Sequence, residues 1–458
     1  MLVSKLDKSI GIEVYATSSP GTSGIIRQHI EDFVVKEMLV DGSIAEINHS
    51  VKRQVLGATF SKNRYLLCVL VKRDWDIFLA LRAIAEQLNI STKRIQIAGI
   101  KDAKAVTAQH VTIEGVSTKD VAKVQVKDIT VHPIGYVRSK ISPYFLLGNN
   151  FYITIRALKH STSPIQKRIT ETVREIKTIG GVPNFFGHQR FGTTRPITHL
   201  VGKALVKGNV RKAAMLFLAK LGSHEHPESR HARKQLQDTQ DFQKALKEFP
   251  KKLHYERLML RHLIKKPGDF TGAFRRLPMK LRKLFPQAYQ SYLFNKFLSR
   301  RIANGISLNR AEVGDYVVNV ERSGLPMPNM CRIANIQTTK ELDKAVEADR
   351  MRIAIPLIGF KRRPSQGLQG EIERKILEEE RILPENFKIR AMPEISSRDE
   401  LRTVIVPLNN FSIDEISDDS ANPSKRQAKL SFMLYRGSYA TIPLREIIKP
   451  HNIIEAGF

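Results

Sequence analysis

The stretch Ala98-Gly99-Ile100-Lys101-Asp102-Ala103-Lys104-Ala105-Val106-Thr107-Ala108-Gln109 joins two segments that have the character of β-strands. Arg94 to Gly99 forms the first of these segments and Gln109 to Glu114 the second. Gly99 permits a tight turn, because glycine adopts backbone conformations that other residues avoid. The pattern therefore predicts two neighbouring strands joined by a short polar connection.

That connection contains a single carboxylate, Asp102, between Lys101 and Lys104. Cations on both sides favour the ionised form of an acid. An ionised aspartate in such a turn is a candidate nucleophile toward an electrophilic carbon. Aspartates at such positions also commonly form Asx turns, and the local residues alone leave this purely structural role open.

Working outward, apolar patterning predicts further elements on both sides of this loop. Tyr65 to Lys72 is a nearly continuous apolar run of strand length, and Asp74 can cap the helix that follows it. A second helix runs from about Pro164 to the glycine pair Gly180-Gly181. Other predicted strands are 151–156, 316–320, 351–357, 402–406 and 429–434, other predicted helices are 287–304 and 370–381, and 417–427 is predicted to be an exposed loop.

The order of these elements predicts the fold class and the domain organisation. A start that mixes strands and helices is followed by a helical, basic middle from about Thr198 to Arg301, and the tail returns to strands. This arrangement favours an α+β fold in which an insertion interrupts one domain.

Composition indicates a protein that binds an anionic partner. The 458 residues carry 75 Lys and Arg against 45 Asp and Glu, a formal net charge of +30, with a pI near 10.1. Such a surplus is typical of proteins that bind a phosphate backbone. A host-wide basic bias is the alternative. A membrane partner is disfavoured, since we find neither a convincing basic amphipathic helix nor a lipidation site.

Other sequence features argue against secreted, membrane and metal-binding classes. The two cysteines, Cys68 and Cys331, are far apart, and there is no Cys-x-x-Cys pair. No signal-type segment or membrane-length apolar run is present, so we expect an intracellular, cytoplasmic protein. The sequence His224-Glu225-His226 with His231 lacks the usual spacing of metal ligands and is interpreted as a solvated stretch before a charged helix.

Two further clusters are candidates for function. Asn184-Phe185-Phe186-Gly187-His188-Gln189-Arg190-Phe191-Gly192 combines aromatic rings, a His and an Arg with glycines. Exposed rings of this kind stack on unpaired bases, which we favour narrowly over an aromatic core at a loop. Gln290-Ser291-Tyr292-Leu293-Phe294-Asn295 by itself predicts a packing helix with a basic, exposed end at Arg300-Arg301.

Taken together, these clusters resemble the TruD family of tRNA pseudouridine synthases. The resemblance extends from about residue 24 to 446, and its most specific parts are the Lys-Asp loop and the Asn184–Gly192 run. The segments that carry it, in order, are Glu31-Asp32-Phe33-Val34-Val35-Lys36-Glu37, Gly99 to Gln109, Leu147-Gly148-Asn149-Asn150-Phe151, Asn184 to Gly192, Gln290 to Asn295, Gly437-Ser438-Tyr439-Ala440-Thr441 and Leu444-Arg445-Glu446.

The resemblance implies that the protein isomerises a uridine of tRNA, usually uridine 13 in this family, to pseudouridine. It implies an α+β pseudouridine synthase catalytic domain with a mixed or antiparallel sheet and flanking helices, interrupted by a family-specific α+β insertion domain. The expected borders are 1–194 and 396–458 for the catalytic domain and 195–395 for the insertion. Because the reaction has no net redox change and no hydrolysis, we expect no metal and no cofactor. The resemblance implies tRNA as the partner, and the lack of a sustained hydrophobic helix face predicts a monomer.

The resemblance also assigns roles to individual residues. Asp102 would be the nucleophile, Phe186 would stack on the target base, and Asn184 would order that pocket. Arg27 takes the position of a basic residue that is commonly Lys in the family. Arginine fits a salt bridge to Asp102 but is a much poorer proton donor than lysine. The full set of predicted substrate-binding residues is Phe186, Asn184, Arg27, Lys101, Gln189 and Arg190.

Two other functions remain open on the sequence. A non-catalytic RNA-binding protein or RNA chaperone would show the same charge and aromatic cluster. A methyltransferase would need a glycine-rich loop after its first strand, and none can be placed.

Overall fold

The computed structural model describes residues 2–48, 55–361 and 364–458. The chain divides into two compact units. Unit 1 contains the segment up to Ala16, Pro183–Glu321 and Pro326–Ile405, and unit 2 contains Thr17–Val182, Arg322–Leu325 and Val406–Phe458. The borders 1–194, 195–395 and 396–458 that the resemblance implies stay a prediction.

The strands in chain order are β1 Phe33–Leu39, β2 Tyr65–Arg73, β3 Ile95–Ile97, β4 Val106–Glu114, β5 Ile129–Val137, β6 Leu146–Leu158, β7 Val182–Pro183, β8 Tyr316–Val320, β9 Pro326–Ile333, β10 Met351–Leu357, β11 Glu400–Thr403, β12 Ile405–Val406, β13 Asn409–Asp418 and β14 Arg426–Tyr435.

The helices in chain order are α1 Lys5–Ser9, α2 Ile77–Gln87, α3 Thr118–Val121, α4 Thr162–Thr178, α5 Thr198–Val206, α6 Val210–Ala219, α7 Pro227–Thr239, α8 Phe242–Glu248, α9 His254–Lys265, α10 Phe270–Arg275, α11 Met279–Ala303, α12 Thr339–Glu347, α13 Gly367–Glu380 and α14 Thr441–Ile448.

Unit 2 is built on a mixed sheet, which among the described residues has eight strands. The order is β13-β14-β6-β1-β4-β2-β5, and β3 also pairs with β4. The β1–β4 pair is parallel, with Val34 opposite Val106, and the other pairs are antiparallel. Strand β4 is buried over nearly its whole length, as its central place in the sheet requires.

Helices cover this sheet because their apolar residues repeat at helical spacing. Helix α2 packs Ile77, Ala80 and Ile84 against β2 and β4 side chains such as Leu66 and Val111. Helix α4 packs against α14 and β13, and its apolar residues Ile165, Ile169, Val173 and Ile176 are all buried. The helix predicted from about Pro164 is thus confirmed in extent and in face.

Unit 1 combines helices α5 to α13 with a four-stranded sheet, counted over the described residues, in the order β11-β10-β8-β9. The long helix α11 lies against α5. Their close approach depends on Gly202, where an added Cβ atom would overlap the carbonyl oxygen of Phe285. The predicted α+β fold class therefore agrees with the architecture of both units. In the part of the chain that the structure describes, no helix has the length and apolarity needed to cross a membrane.

Several local predictions were wrong. Helix α2 is capped by Asp76 and not by Asp74: the Asp76 carboxylate accepts hydrogen bonds from the backbone N–H groups of Phe78 and Leu79. Asp74 instead lies in a turn with φ +54°. The aspartate closer to the first apolar residue therefore takes the cap position.

The predicted loop 417–427 was too long and was not fully exposed. Strands β13 and β14 extend to Asp418 and from Arg426, so the connection is a short hairpin turn. Asp419 at that turn is buried and accepts hydrogen bonds from the Ala157 amide and from Arg156. By accepting these hydrogen bonds, the Asp419 carboxylate holds the turn against the sheet.

The predicted exposed basic end of helix α11 was also wrong. Arg301 is fully buried and forms two hydrogen bonds to the carboxylate of Asp315, at 2.7 and 2.8 Å. Gln290, Ser291 and Asn295 of the same helix are buried too. The Gln290 and Asn295 amides donate to backbone carbonyls of other segments, and the Ser291 hydroxyl accepts from the Arg190 side chain. Helical periodicity treats such residues as solvent-facing because it cannot see polar partners that come from distant parts of the chain.

We expect Asp76→Ala to lower the stability of α2 by about 1 kcal/mol, since it removes the cap of two backbone N–H groups. Hydrogen exchange at the Phe78 and Leu79 amides should accelerate correspondingly. Asp74→Asn is the matched control, because asparagine tolerates the same backbone conformation. Faster exchange in the control and not in Asp76→Ala would contradict the assignment of the cap.

Candidate active site

The ends of three strands bring the candidate catalytic residues of unit 2 together. The parallel pair β1 and β4 begin at the same edge of the sheet, where β2 ends: Val106 of β4 lies opposite both Val34 of β1 and Arg73 of β2. Asp102 lies in the connection before β4, and Arg27 lies a few residues before β1. Residues distant in sequence therefore meet at this edge.

Arg27 and Asp102 form an ion pair, with 3.4 Å between Arg27 Nη2 and Asp102 Oδ1. The Asp102 side chain is 25% exposed and that of Arg27 is 11% exposed, so solvent or a ligand reaches the carboxylate more easily than the guanidinium. Burial lowers the pKa of Arg27, and the attraction of Asp102 opposes that shift. Because an arginine pKa starts so high, the guanidinium remains charged at neutral pH.

The surroundings of Arg27 hold it in place. Its guanidinium lies over the ring of Phe33, 3.8 Å from the ring centroid, and Nη1 donates to the carbonyl oxygen of Gly457 at 3.1 Å. Its backbone has φ +58°, a conformation uncommon for a residue with a side chain. This conformation is maintained by the contacts on both sides of the guanidinium.

Lys72 lies near the end of β2, and its side chain contacts the loop that contains Asp102. Its side chain is fully buried, and Nζ donates a hydrogen bond of 2.5 Å to the backbone carbonyl oxygen of Asp102. Burial lowers the pKa of Lys72 to about 8, although the attraction of Asp102, Asp76 and Asp74 opposes the shift.

Lys101, one of the predicted substrate-binding residues, directs its side chain toward strands β1 and β6 of the sheet. Its Nζ lies 2.7 Å from Glu37 Oε2 and 2.7 Å from Asn149 Oδ1. Glu37 of β1 and Asn149 of β6 are opposite each other in the sheet. Lys101 is 6% exposed and Glu37 is 0% exposed, so this side chain anchors the loop to the sheet. Its predicted role in binding substrate stays untested.

Glu37 is stabilised as a carboxylate within the sheet. Burial by itself would raise the pKa of Glu37, but the charge of Lys101 and hydrogen bonding with His110 and Lys101 outweigh it, so that the pKa is lowered. The backbone N–H of His110 donates to Glu37 Oε1 at 3.0 Å. A buried charge of this kind needs such partners to be tolerated.

In unit 1, Asn184 is the centre of a buried hydrogen-bond set. Its amide nitrogen donates to both the carbonyl and the hydroxyl oxygen of Thr403, and its oxygen accepts from Arg402 Nη2 at 2.5 Å. The guanidinium of Arg402 lies 4.0 Å from the centroid of the Phe186 ring. Asn184 therefore orders Arg402, which in turn covers the Phe186 ring.

The aromatic residues of the Asn184–Gly192 run are largely core residues. Phe185 and Phe191 are 0% exposed and Phe186 is 8% exposed. The expectation that this run exposes several rings for base stacking was therefore wrong for Phe185 and Phe191, whose rings complete the core of unit 1. The stacking role predicted for Phe186 stays a prediction.

The two remaining predicted substrate-binding residues differ in exposure. Gln189 is exposed, whereas Arg190 is half-buried. Arg190 Nε donates to the hydroxyl of Ser291 on α11 at 3.2 Å, and its guanidinium lies 5.7 Å from the Phe186 ring centroid.

The histidine-rich stretch in the middle of the chain has a structural role at Glu225. This carboxylate accepts from Arg233 Nε at 2.6 Å, and Arg233 also binds Glu256 at 2.7 Å. The prediction that the stretch is solvated was therefore wrong for Glu225. Within the described ranges, no three His, Cys, Asp or Glu residues are grouped so that they could hold a metal ion.

Comparison with known proteins decides the family. A family model described as tRNA pseudouridine synthase D (TruD) matches residues 9–447. The chain belongs to the TruD family. That assignment covers both units and includes all the segments that carried the resemblance.

Individual TruD relatives match over nearly the full chain. A probable tRNA pseudouridine synthase D from Methanosarcina acetivorans is 40% identical over 449 residues, which is 98% of each protein. One from Thermococcus onnurineus is 36% identical over 442 residues, 95% of this chain and 97% of the relative. The crystal structure of a candidate TruD protein from Methanosarcina mazei matches with a TM-score of 0.82 and 39% identity, covering 98% of this chain and 99% of that one. The predicted family, fold class and enzyme class, an isomerase of the pseudouridine synthase type, are confirmed.

Sequence reasoning missed two charged residues that lie around the Asp102 loop in unit 2. Glu37 was quoted within a motif without a role, and Lys72 was treated only as the end of a strand. A detectable signal existed for both: each is a charged residue in a strand that is otherwise apolar on its buried side. Such a charge requires a partner of opposite sign or a hydrogen bond.

We expect Lys101→Met to destabilise unit 2 by roughly 3–5 kcal/mol, because it leaves the buried Glu37 carboxylate without its cation. The double variant Lys101→Met with Glu37→Gln should recover part of this loss. The measurement is thermal or denaturant unfolding of the purified variants.

The matched control is Lys36→Met, which removes the cation of the more exposed pair between Lys36 and Glu46, 2.6 Å apart. Pairs at the surface contribute at most about 1 kcal/mol. If Lys101→Met were no more destabilising than this control, the buried pair would not anchor the loop.

Proposed function

We propose that this protein isomerises uridine 13 of tRNA to pseudouridine, with Asp102 as the nucleophile. The observation that carries the proposal is the ion pair between Arg27 and Asp102 at 3.4 Å, at a sheet edge of a TruD-family chain. The relatives are named as probable tRNA pseudouridine synthases, which supports tRNA as the substrate. The choice of uridine 13 rests on the usual target of the family.

The reaction requires few groups. The bond between C1′ and N1 of the uridine breaks, the uracil turns, and a bond between C1′ and C5 forms. N1 gains a proton and C5 loses one, so that no oxidant, reductant or water is consumed. The enzyme must hold a flipped nucleotide, supply a nucleophile and remove one proton.

The surroundings of Asp102 suit a nucleophile better than a proton-donating acid. The Asp102 carboxylate is paired with the Arg27 guanidinium, which remains charged at neutral pH. Its 25% exposure leaves room for a nucleotide to approach. The attack is directed at the sugar or at the base, two routes in which the Asp102 carboxylate is the nucleophile.

Arg27 serves in this proposal as the counter-ion of Asp102. The guanidinium is held in place by its contact with Phe33 and its hydrogen bond to the Gly457 carbonyl. Its charge then holds the Asp102 carboxylate in one orientation. An arginine suits this purpose because two or more of its N–H groups bind separate acceptors at once. A role for this residue as a proton donor is not needed.

We extend the proposal to two residues of unit 1. Phe186 stacks on the target base, and Asn184 orders the pocket that holds this base. The hydrogen bonds of Asn184 to Thr403 and Arg402 support an ordering role within unit 1. Gln189, Arg190 and Lys101 are kept as proposed substrate-binding residues.

We expect Asp102→Asn to abolish pseudouridine formation while tRNA affinity stays nearly unchanged. Asparagine has almost the same shape but is not a carboxylate nucleophile. The measurement combines release of tritium from C5-labelled uridine in tRNA with mapping of the modified position, and tRNA binding is measured separately.

Asp120→Asn is the matched control, because Asp120 lies in unit 2 and bonds only locally to Ser117 in its helix cap. The control should keep full activity. Product from Asp102→Asn would exclude Asp102 as nucleophile, and a wild-type protein that binds tRNA but releases no tritium would be an RNA-binding protein without this activity.

The formal net charge of +30 predicts that tRNA binding weakens steeply with salt. Each phosphate that a Lys or Arg neutralises releases counterions, so log K falls linearly with log salt concentration. A protein that makes 6–10 such contacts loses roughly 10³–10⁵ in affinity between 50 and 200 mM salt. Titration of labelled tRNA at several salt concentrations measures the slope, and a flat response would contradict docking through the basic surface.

A further inference from the structure

Lys72 is a buried lysine of unit 2 whose ammonium group contacts the proposed nucleophile. It lies on β2, where its cross-strand neighbours are Thr107 on β4 and Ile129 on β5, neither of which is charged. Its ammonium group bonds the backbone carbonyl oxygen of Asp102 at 2.5 Å. A fully buried ammonium group is costly, and this one is directed at the backbone of the proposed nucleophile.

We propose that Lys72 is a positioning residue for the reaction: its charged ammonium group holds the backbone of Asp102 and so orients the carboxylate toward the nucleotide. The inference rests on the proposed function, because it presumes that Asp102 carries the chemistry. It adds a group that the comparisons do not assign.

The contacts around Asp102 make this a three-point attachment. Arg27 holds the carboxylate, Lys72 holds the carbonyl of the same residue, and Lys101 ties the preceding residue to Glu37 in the sheet. The first contact restrains the side chain and the other two restrain the backbone. Of the two backbone restraints, Lys72 is the one bonded to Asp102 itself.

The charge of Lys72 matters for the strength of this restraint. A hydrogen bond from an ionised donor is roughly twice as strong as one between neutral groups. The charged groups that act on Lys72 are Asp102, Asp76 and Asp74, all of opposite sign, and burial works against them. The pKa of Lys72 is lowered to about 8, so the ammonium group is charged at pH 7 and loses its proton as pH rises through that value.

This titration predicts a pH dependence. Below pH 8 the charged group holds Asp102, and above it the neutral amine holds the loop less firmly. The single-turnover rate of pseudouridine formation should therefore decline as pH rises through about 8. Ionisation of the uracil ring would give a different decline, which every variant would share.

The first test is Lys72→Met, which keeps the length of the side chain and removes the charge and the donor. We expect the rate at pH 7 to fall roughly 100-fold, the scale of a 1 Å misplacement in an active site. The decline near pH 8 should disappear, while tRNA affinity stays unchanged. The readout is the single-turnover rate on unmodified tRNA between pH 6 and 10.

The matched control is Lys449→Met. Lys449 is also a buried lysine of unit 2, and its ammonium group also donates to backbone carbonyls, those of Thr17 and Ser19. This variant should keep the decline near pH 8 even if it lowers stability. A second variant, Lys72→Arg, covers the case in which the methionine variant does not fold: its guanidinium stays charged, so the decline should again be absent.

The outcomes separate this inference from the proposed function. A decline near pH 8 that persists in Lys72→Met or Lys72→Arg would assign the titration to another group and overturn the positioning role. If Asp102→Asn still forms product, the nucleophile assignment fails. If Asp102→Asn is inactive and only the Lys72 results disagree, the proposed function stands and this inference does not.

Discussion

The buried ion pair between Lys101 and Glu37 is the constraint on which the candidate active site of unit 2 depends. The two charged atoms are 2.7 Å apart, and neither residue is appreciably exposed. Each charge would be strongly unfavourable without the other. Because Lys101 immediately precedes Asp102, the pair also determines where the connection between β3 and β4 crosses the edge of the sheet.

The rest of the site follows from that anchored loop. Once Lys101 is fixed, Asp102 comes next to the end of β2, where Lys72 bonds its carbonyl, and next to the start of β1, where Arg27 meets its carboxylate. The charge of an exposed cation is screened by solvent, whereas Lys72 and Arg27 are shielded from solvent by the sheet. The carboxylate of an aspartate surrounded in this way is held in one direction, which suits attack on a nucleotide.

Local sequence patterns were sufficient where local forces decide. The strands 316–320 and 351–357 and the apolar face of α4 agree with the structure, because short apolar runs mark buried strands and helical spacing marks the buried face of a helix. The patterns failed where a polar residue has a distant partner. Arg301 was expected at the surface, but Asp315 takes it into the core. Phe185 and Phe191 were expected to be available for stacking, but they complete a core.

The sequence by itself determined the basic charge, the lone aspartate between lysines, most of the elements and, through ordered motifs, the family. Only the tertiary structure decided which charges meet. Arg27 and Asp102 are 75 residues apart, and they come together because β1 and β4 pair in parallel. Likewise the contact of Lys101 with Glu37, which anchors the loop, is visible only in the folded sheet. Such pairings depend on the packing of whole strands, whose loop-closure cost and long-range contacts leave no local pattern in the residues they join.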